Sequence, residues 1–192
     1  MKANWQTKKL GDIFDRFKNR NLKVPFIYQI NENACGAAVL EMVYKYYGLN
    51  DVSQEEIYKK YKQLEPHGTG NFRITTDALV ADSLRRGFLS FWNKVDYNNP
   101  DECFNLLQFL TKKSKIPIIV CQQFTKNEEH KDLGHFRLVV GVDKKNKIIY
   151  VHDPHKELGG QYQKWSLDKF VDFWQPTGQN VTGGVFVIIK KL

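Results

Sequence analysis

The stretch from residue 29 to residue 48, QINENACGAAVLEMVYKYYG, constrains the fold more than any other part of the chain. Its apolar residues recur with helical spacing, which predicts a helix whose buried face starts at Cys35. We expect Asn33 to cap this helix and Gly48 to end it. Gly36 and the two alanines after it are small, so another segment can approach the first turn closely.

The position of Cys35 suits a reactive thiol. The N-terminus of a helix favours the thiolate, which is the nucleophilic form of cysteine. Gln29 lies six residues earlier and can direct an amide N–H to the same point. The alternative is a structural cysteine on an amphipathic helix, because free cysteine is among the most buried residue types. The choice depends on whether the rest of the chain supplies a base.

Length and cysteine usage narrow the class of protein. A chain of 192 residues with 42% apolar content predicts one folded domain, or two lobes around one cleft. No apolar run is long enough for a membrane span, and the first residues lack a signal-peptide core. We therefore expect a soluble cytoplasmic protein; export by a route without a signal peptide stays open. Three distant cysteines favour free thiols and give no support to a disulfide framework or a cysteine-based zinc site.

The positive charge is concentrated at the start of the chain. Net charge is +8, and residues 1–23 hold seven basic against two acidic side chains. We predict that residues 1–23 form a basic extension, helical over 7–19, and that residues 24–192 form the folded domain. Such an extension suits an acidic partner, nucleic acid or anionic lipid, or is simply a solvated face. The chain carries no recognised nucleic-acid-binding motif, so we expect no nucleic-acid partner.

The predicted elements place helices first and antiparallel strands later, which indicates an α+β fold. Caps at Ser53, Thr75 or Thr76, Asn99 and Ser166 predict four helices after the cysteine helix. β-branched and apolar runs predict five strands. These strands cover Phe88–Trp92, Ile116–Phe124, Phe136–Val142, Ile148–Val151 and Gly184–Lys190.

His135 and Asp153 flank the predicted hairpin of residues 136–151. One opens the first strand and the other closes the second, so both lie at the same end of the hairpin. If residue 135 faces residue 153 or 155, the two side chains share a sheet face. If the register slips by one, His152 takes that place. In the first register Asp153 orients His135, which then accepts the proton of Cys35.

Other polar groups support weaker interpretations. His130, His152 and His155 allow a metal site, but adjacent strand residues point to opposite faces, so His152 and Asp153 are poorly placed to share a metal ion. We predict neither a metal nor a cofactor. Cys103 and Cys121 are expected in helix and strand cores.

The order Gln29, Cys35, His135, Asp153 resembles the papain-like superfamily. Within it, the chain is similar to the bacteriocin-processing (double-glycine leader) cysteine peptidases. The similarity is carried by Cys35-Gly36-Ala37-Ala38, Tyr46-Tyr47-Gly48, His135-Phe136 and Asp153-Pro154, together with the segment from Ser166 to Trp174, and it extends from about Pro25 to Ile189. Ala34 stands where the family usually has Asp. The best-known members lie at the N-terminus of membrane ATP-driven exporters. This sequence shows no membrane span and no phosphate-binding loop, so it resembles a stand-alone relative.

The resemblance implies a papain-like fold, with a helical N-terminal lobe carrying the cysteine and a C-terminal antiparallel sheet carrying His and Asp. It implies a cysteine peptidase that cleaves a peptide or isopeptide bond. Cys35 is then the nucleophile, His135 the base, Asp153 its orienting partner and Gln29 the oxyanion donor.

The same triad also serves acyl transfer and amide deamidation, and a non-catalytic peptide-binding module is a third alternative. The implied partner is a peptide or protein with small residues at the cleavage site. The sequence predicts no oligomeric state.

Overall fold

A computed structural model describes residues 21–64, 72–130, 133–177 and 181–192. The predicted helix over 7–19 therefore lies outside the described residues, and the proposed boundary at residue 23 stays a prediction. Five α-helices are described: α1 (Cys35–Tyr46), α2 (Gln54–Tyr61), α3 (Thr76–Arg85), α4 (Pro100–Gln108) and α5 (Leu167–Phe173). A π-helical segment, Phe109–Lys113, continues α4.

The strands form a two-stranded hairpin and one large sheet. The hairpin pairs β1 (Gln63–Leu64) with β2 (Phe72–Arg73). The sheet contains β3 (Phe88–Lys94), β4 (Ile118–Gln123), β5 (Gly134–Asp143), β6 (Ile148–Asp153), β7 (Gly160–Ser166) and β8 (Val185–Lys191). Its strand order is β3-β8-β4-β5-β6-β7, and every neighbouring pair is antiparallel. The predicted α+β class is confirmed.

Two apolar cores lie on opposite faces of this sheet. Alternate residues of β5 separate into them, with Leu138 and Val140 in the first and Val139 and Val142 in the second. The first core is closed by α1, α2 and α3, and the second by α4 and α5. Successive strand residues face opposite sides, but the irregularity between Val139 and Gly141 shifts the alternation of β5 by one residue, so Val142 lies on the same face as Val139.

Four of the five described helices begin at a cap residue that the sequence predicts. Ser53, Thr75, Asn99 and Ser166 each accept a hydrogen bond from the backbone N–H three residues later. Gly48 follows α1 with φ of +86°, a conformation that glycine adopts without the steric cost of a side chain. These local signals set where α2 to α5 begin and where α1 ends.

Candidate active site

Cys35 opens α1 at the junction between this helix and β5. Its side chain is 9% exposed. A Cβ placed on Gly36 would lie 3.2 Å from the ring of Phe136, so the strand approaches the first turn as closely as glycine permits. The small residues after Cys35 therefore bring the thiol next to the start of β5.

The predicted cap at Asn33 is wrong. Ala34 is the N-cap residue of α1, and no side chain caps the helix. The amide oxygen of Asn31 instead accepts a hydrogen bond from the backbone N–H of Asn33, at 2.9 Å. Asparagine favours such a turn two residues ahead of itself, and this turn carries the chain into the helix.

The register of the β5–β6 hairpin brings His135 and Asp153 together. Leu138 pairs with His152, so residue 135 continues opposite residue 155 and diagonal to residue 153. The two side chains share one sheet face, and Nε2 of His135 lies 2.8 Å from Oδ1 of Asp153. Nδ1 is the ring nitrogen that remains to interact with Cys35.

His152 points to the other face of the sheet. Its Nε2 lies 3.1 Å from the carbonyl of Val24, and its Nδ1 accepts the backbone N–H of Tyr162. Burial lowers the pKa of His152 to about 4, so the ring is neutral at physiological pH. The one-residue slip that would have placed His152 beside His135 does not occur.

Asp153 is the centre of a buried charge network. The carboxylate is 2% exposed, and its Oδ2 accepts a hydrogen bond of 2.6 Å from Nε of Arg137. Oδ1 also accepts the backbone N–H of His155 at 3.0 Å. Burial alone would raise the pKa of Asp153, but the charges of His135 and Arg137 lower it by more, so the group is ionised.

Cys35 and His135 stabilise each other's charged forms. Burial raises the pKa of the Cys35 thiol, but the charge of His135, a hydrogen bond from its ring and backbone hydrogen bonds from Phe136 and Gly36 lower it by more. Burial lowers the pKa of His135, but the charges of Asp153 and Cys35 raise it above its ordinary value. Both shifts favour a thiolate beside an imidazolium.

Gln29 contacts the chain segment that follows Asp153. It is 2% exposed, and its backbone N–H donates to the carbonyl of Pro154 at 2.8 Å. Within the described residues its Oε1 is buried without a hydrogen-bond partner, and no hydrogen bond joins its side chain to Cys35. The side chain lines a cavity of about 210 Å³ with Asn31 and His155. The side-chain amide of Gln29 is therefore available to hydrogen-bond a ligand.

Gln54 holds the backbone on both sides of Gln29, a role that sequence reasoning missed. Its Nε2 donates to the carbonyl of Tyr28, and its Oε1 accepts the N–H of Ile30, both at 2.9 Å. The Gln54 backbone N–H in turn donates to Glu41 of α1. Gln54 thus ties the segment that carries Gln29 to the helix that carries Cys35.

Arg137 is the second residue that sequence reasoning missed. Besides Asp153, its guanidinium donates to the carbonyls of Gln123 at 2.9 Å and Phe124 at 2.8 Å. Its side chain is 3% exposed and lies over the ring of Trp165. The available signal was an arginine inside an apolar strand, two residues after His135 and so on the same face.

We expect Arg137→Met to lower the free energy of unfolding by about 3–5 kcal/mol, because it leaves Asp153 without one partner of a buried ion pair. Urea denaturation measures the change. Lys147→Met is the matched control: it removes the exposed pair with Asp101 at 3.1 Å, which contributes no more than about 1 kcal/mol. Equal losses in the two variants would contradict the role given to Arg137.

Within the described ranges, no group of three or more His, Cys, Asp and Glu side chains is placed to hold a metal ion. In the same ranges, none of the helices has the length and apolar character of a membrane span.

A family model described as the Peptidase_C39 like family matches residues 21–182. No match is found among curated proteins. The match extends over the cysteine helix and the whole β5–β6 hairpin.

Several solved structures share the fold. A double glycine motif protease from an AMS/PCAT transporter, solved with the leader peptide, is 22% identical with a TM-score of 0.61, and the match covers 90% of this chain and 94% of that one. The peptidase domain of Streptococcus ComA, a bifunctional ABC transporter involved in quorum sensing, is 21% identical with a TM-score of 0.59. The match covers 86% of this chain and 97% of that one. The peptidase C39 like domain of a Vibrio parahaemolyticus toxin secretion ATP-binding protein is 15% identical with a TM-score of 0.52. The match covers 84% of this chain and 99% of that one.

Proposed function

The chain belongs to the Peptidase_C39 like family, and we propose that it is a cysteine peptidase that uses Cys35, His135, Asp153 and Gln29 to hydrolyse a peptide or isopeptide bond. The observation that carries the proposal is the buried series from the Cys35 thiol through the His135 ring to the Asp153 carboxylate. A nucleophile, a base and a group that orients the base are what covalent catalysis needs.

In the proposed reaction, the Cys35 thiolate attacks the carbonyl carbon, a C–S bond forms and the carbonyl electrons move to oxygen. The amide of Gln29 stabilises that oxyanion, a contribution typically worth about 3–4 kcal/mol. The C–N bond then breaks, and the departing amine takes its proton from the His135 imidazolium. Water attacks the thioester and gives a proton back to His135, which frees the acid product and Cys35.

Asp153 keeps His135 in the orientation that this sequence of proton transfers requires. With Nε2 of His135 held on Asp153, Nδ1 is the nitrogen that takes and returns the proton. Arg137 fixes the carboxylate from the other side and prevents it from turning away from His135. We assign Arg137 and Gln54 as positioning residues, since neither is placed to touch the reacting atoms.

The proposed substrate is a peptide or protein with small residues at the cleavage site. This proposal rests on the double glycine motif protease and its bound leader peptide among the structural neighbours. The three free cysteines suit a reducing compartment, so we place the enzyme in the cytoplasm.

Mass spectrometry of the products tests the proposed reaction. We expect a peptide library with paired glycines to yield fragments whose summed masses exceed the substrate by one water. Matched peptides with paired valines should be cut at least about ten-fold more slowly. An intact peptide that changes from amide to acid would indicate deamidation, and one joined to an added amine would indicate acyl transfer. Either result without cut peptide would overturn the peptidase assignment.

A further inference from the structure

A second cavity includes Asp153 in its wall, and Cys35 is not among its described lining residues. Its volume is about 440 Å³, within the range of small-molecule sites. Arg137 and Asp153 line its inner part, and Trp165 and Phe173 contribute aromatic walls. Lys164 and Lys169 line the cavity from exposed positions on β7 and α5.

The charge of this cavity is unbalanced. Among the described residues that line it, Asp153 is the only acidic one, and its two oxygens are already bound by His135 and Arg137. Within the described part of the chain, neither Lys164 nor Lys169 has a carboxylate partner in an ion pair. Three cations against one occupied carboxylate leave two positive charges without a counter-ion at the site.

Arg137 also has hydrogen-bonding capacity that the fold does not use. A guanidinium carries five N–H donors, and three of them are bound by Asp153, Gln123 and Phe124. Two N–H groups of a side chain that is 3% exposed are thus left without partners among the described residues. Each guanidinium nitrogen already makes one hydrogen bond, so these two N–H groups are spare donors at the cavity wall that a ligand or water can use.

The walls favour an anion that carries an apolar part. Trp165 is 4% exposed, and the Cζ of Arg137 and the Nζ of Lys169 lie 4.9 Å and 4.3 Å from the centroid of its ring. A bare inorganic ion would pair with the cations but leave the aromatic surface and most of the volume unfilled. We propose that this cavity binds an organic carboxylate, with the acid group at Arg137, Lys164 and Lys169 and the apolar part against Trp165 and Phe173.

Small acids, the C-terminus of a peptide and an acidic peptide side chain all offer this chemistry. N-acetylphenylalanine and its amide, N-acetylphenylalaninamide, differ only in the charged group and represent a free carboxylate. Acetyl-Phe-Glu-amide and acetyl-Phe-Gln-amide form the corresponding pair for an acidic side chain. Binding is followed by the indole N–H signal of Trp165 in ¹⁵N–¹H spectra, assigned with Trp165→Phe.

We expect at least one acid to bind ten-fold or more tightly than its neutral partner, and the pair that responds identifies the source of the carboxylate. Lys164→Gln/Lys169→Gln should weaken that binding at least five-fold. Lys144→Gln/Lys145→Gln removes the same charge from the exposed β5–β6 turn and should leave it unchanged.

Equal affinity of acid and amide in both pairs, no response of Trp165 up to about 20 mM ligand, or equal losses in the two double variants would overturn the proposal. The measurement is made on Cys35→Ala as well as on the wild type. It therefore succeeds or fails independently of the proposed peptidase activity.

Discussion

Cys35→Ala should abolish peptide hydrolysis, with a fall in kcat of ~10⁴-fold or more. The thiolate is the only group at the site that we assign to form the covalent bond, so neither His135 nor Asp153 can replace it. The substitution removes one sulfur at a side chain that is 9% exposed, and we expect the fold to persist. Hydrolysis of the paired-glycine peptides, measured beside a thermal unfolding curve, separates lost chemistry from lost structure.

Cys121→Ala is the matched control for this experiment. Cys121 is a half-buried cysteine on β4, directly opposite Phe136 in the sheet, and we give it no role in the reaction. Its replacement should retain most of the activity. Hydrolysis that survives Cys35→Ala, or that disappears equally in Cys121→Ala, would contradict the assignment of the nucleophile.

His135→Ala should both slow hydrolysis and raise the pKa of Cys35. Loss of general base and acid catalysis alone lowers the rate by about 10²–10⁴-fold. The charge and the hydrogen bond of His135 are the main influences that lower the Cys35 pKa, while burial acts in the opposite direction and persists in the variant. The thiolate population at neutral pH should therefore fall as well.

The variant is expected to fold because Asp153 keeps its bond to Arg137. His130→Ala removes an exposed imidazole from the short 3-10 helix Glu128–His130 before β5 and is the matched control. It should leave the rate of hydrolysis and the pKa of Cys35 unchanged. A fall in rate that both histidine variants share would indicate a loss of stability rather than of a base.

Much of the fold follows from signals that act over a few residues. Ser53, Asn99 and Ser166 cap helices because a side-chain oxygen near a helix start satisfies a backbone N–H that has no other partner. The hairpin that carries His135 and Asp153 was predictable from two apolar runs and the turn between them. Its register was restricted to two alternatives, which differ by the face that His152 occupies.

Short-range sequence signals gave a wrong result for the N-cap of α1, where two asparagines were candidates. They gave no result for the strand β7, which lacks an apolar pattern. Asn33 was a plausible cap, but the turn made by Asn31 precedes the helix and the helix starts without a side-chain cap. The edge strand β7 does not stand out in the sequence, since most of its residues are polar and only Trp165 is buried. A strand of that kind is defined by pairing with β6, which no short window of sequence contains.

The supporting residues could not be inferred because their roles depend on contacts across the fold. Gln54 bonds to backbone groups about 25 positions earlier, and Arg137 meets Asp153 only after β5 and β6 have paired. A glutamine after a capping serine and an arginine in an apolar strand are ordinary in sequence. Only the three-dimensional structure shows that they hold Gln29 and Asp153 in place.

The pH dependence of Cys35 alkylation tests the Cys35–His135 pair most directly. Iodoacetamide rates are followed by peptide mapping, so that Cys35 is counted separately from Cys103 and Cys121. In the wild type we expect Cys35 to react with a midpoint below the ordinary pKa of a cysteine thiol, and in His135→Ala the midpoint should move upward. Cys103, whose pKa burial raises to about 11, should stay unreactive over the same range. Superimposable Cys35 profiles in the two proteins would contradict the proposed thiolate–imidazolium pair.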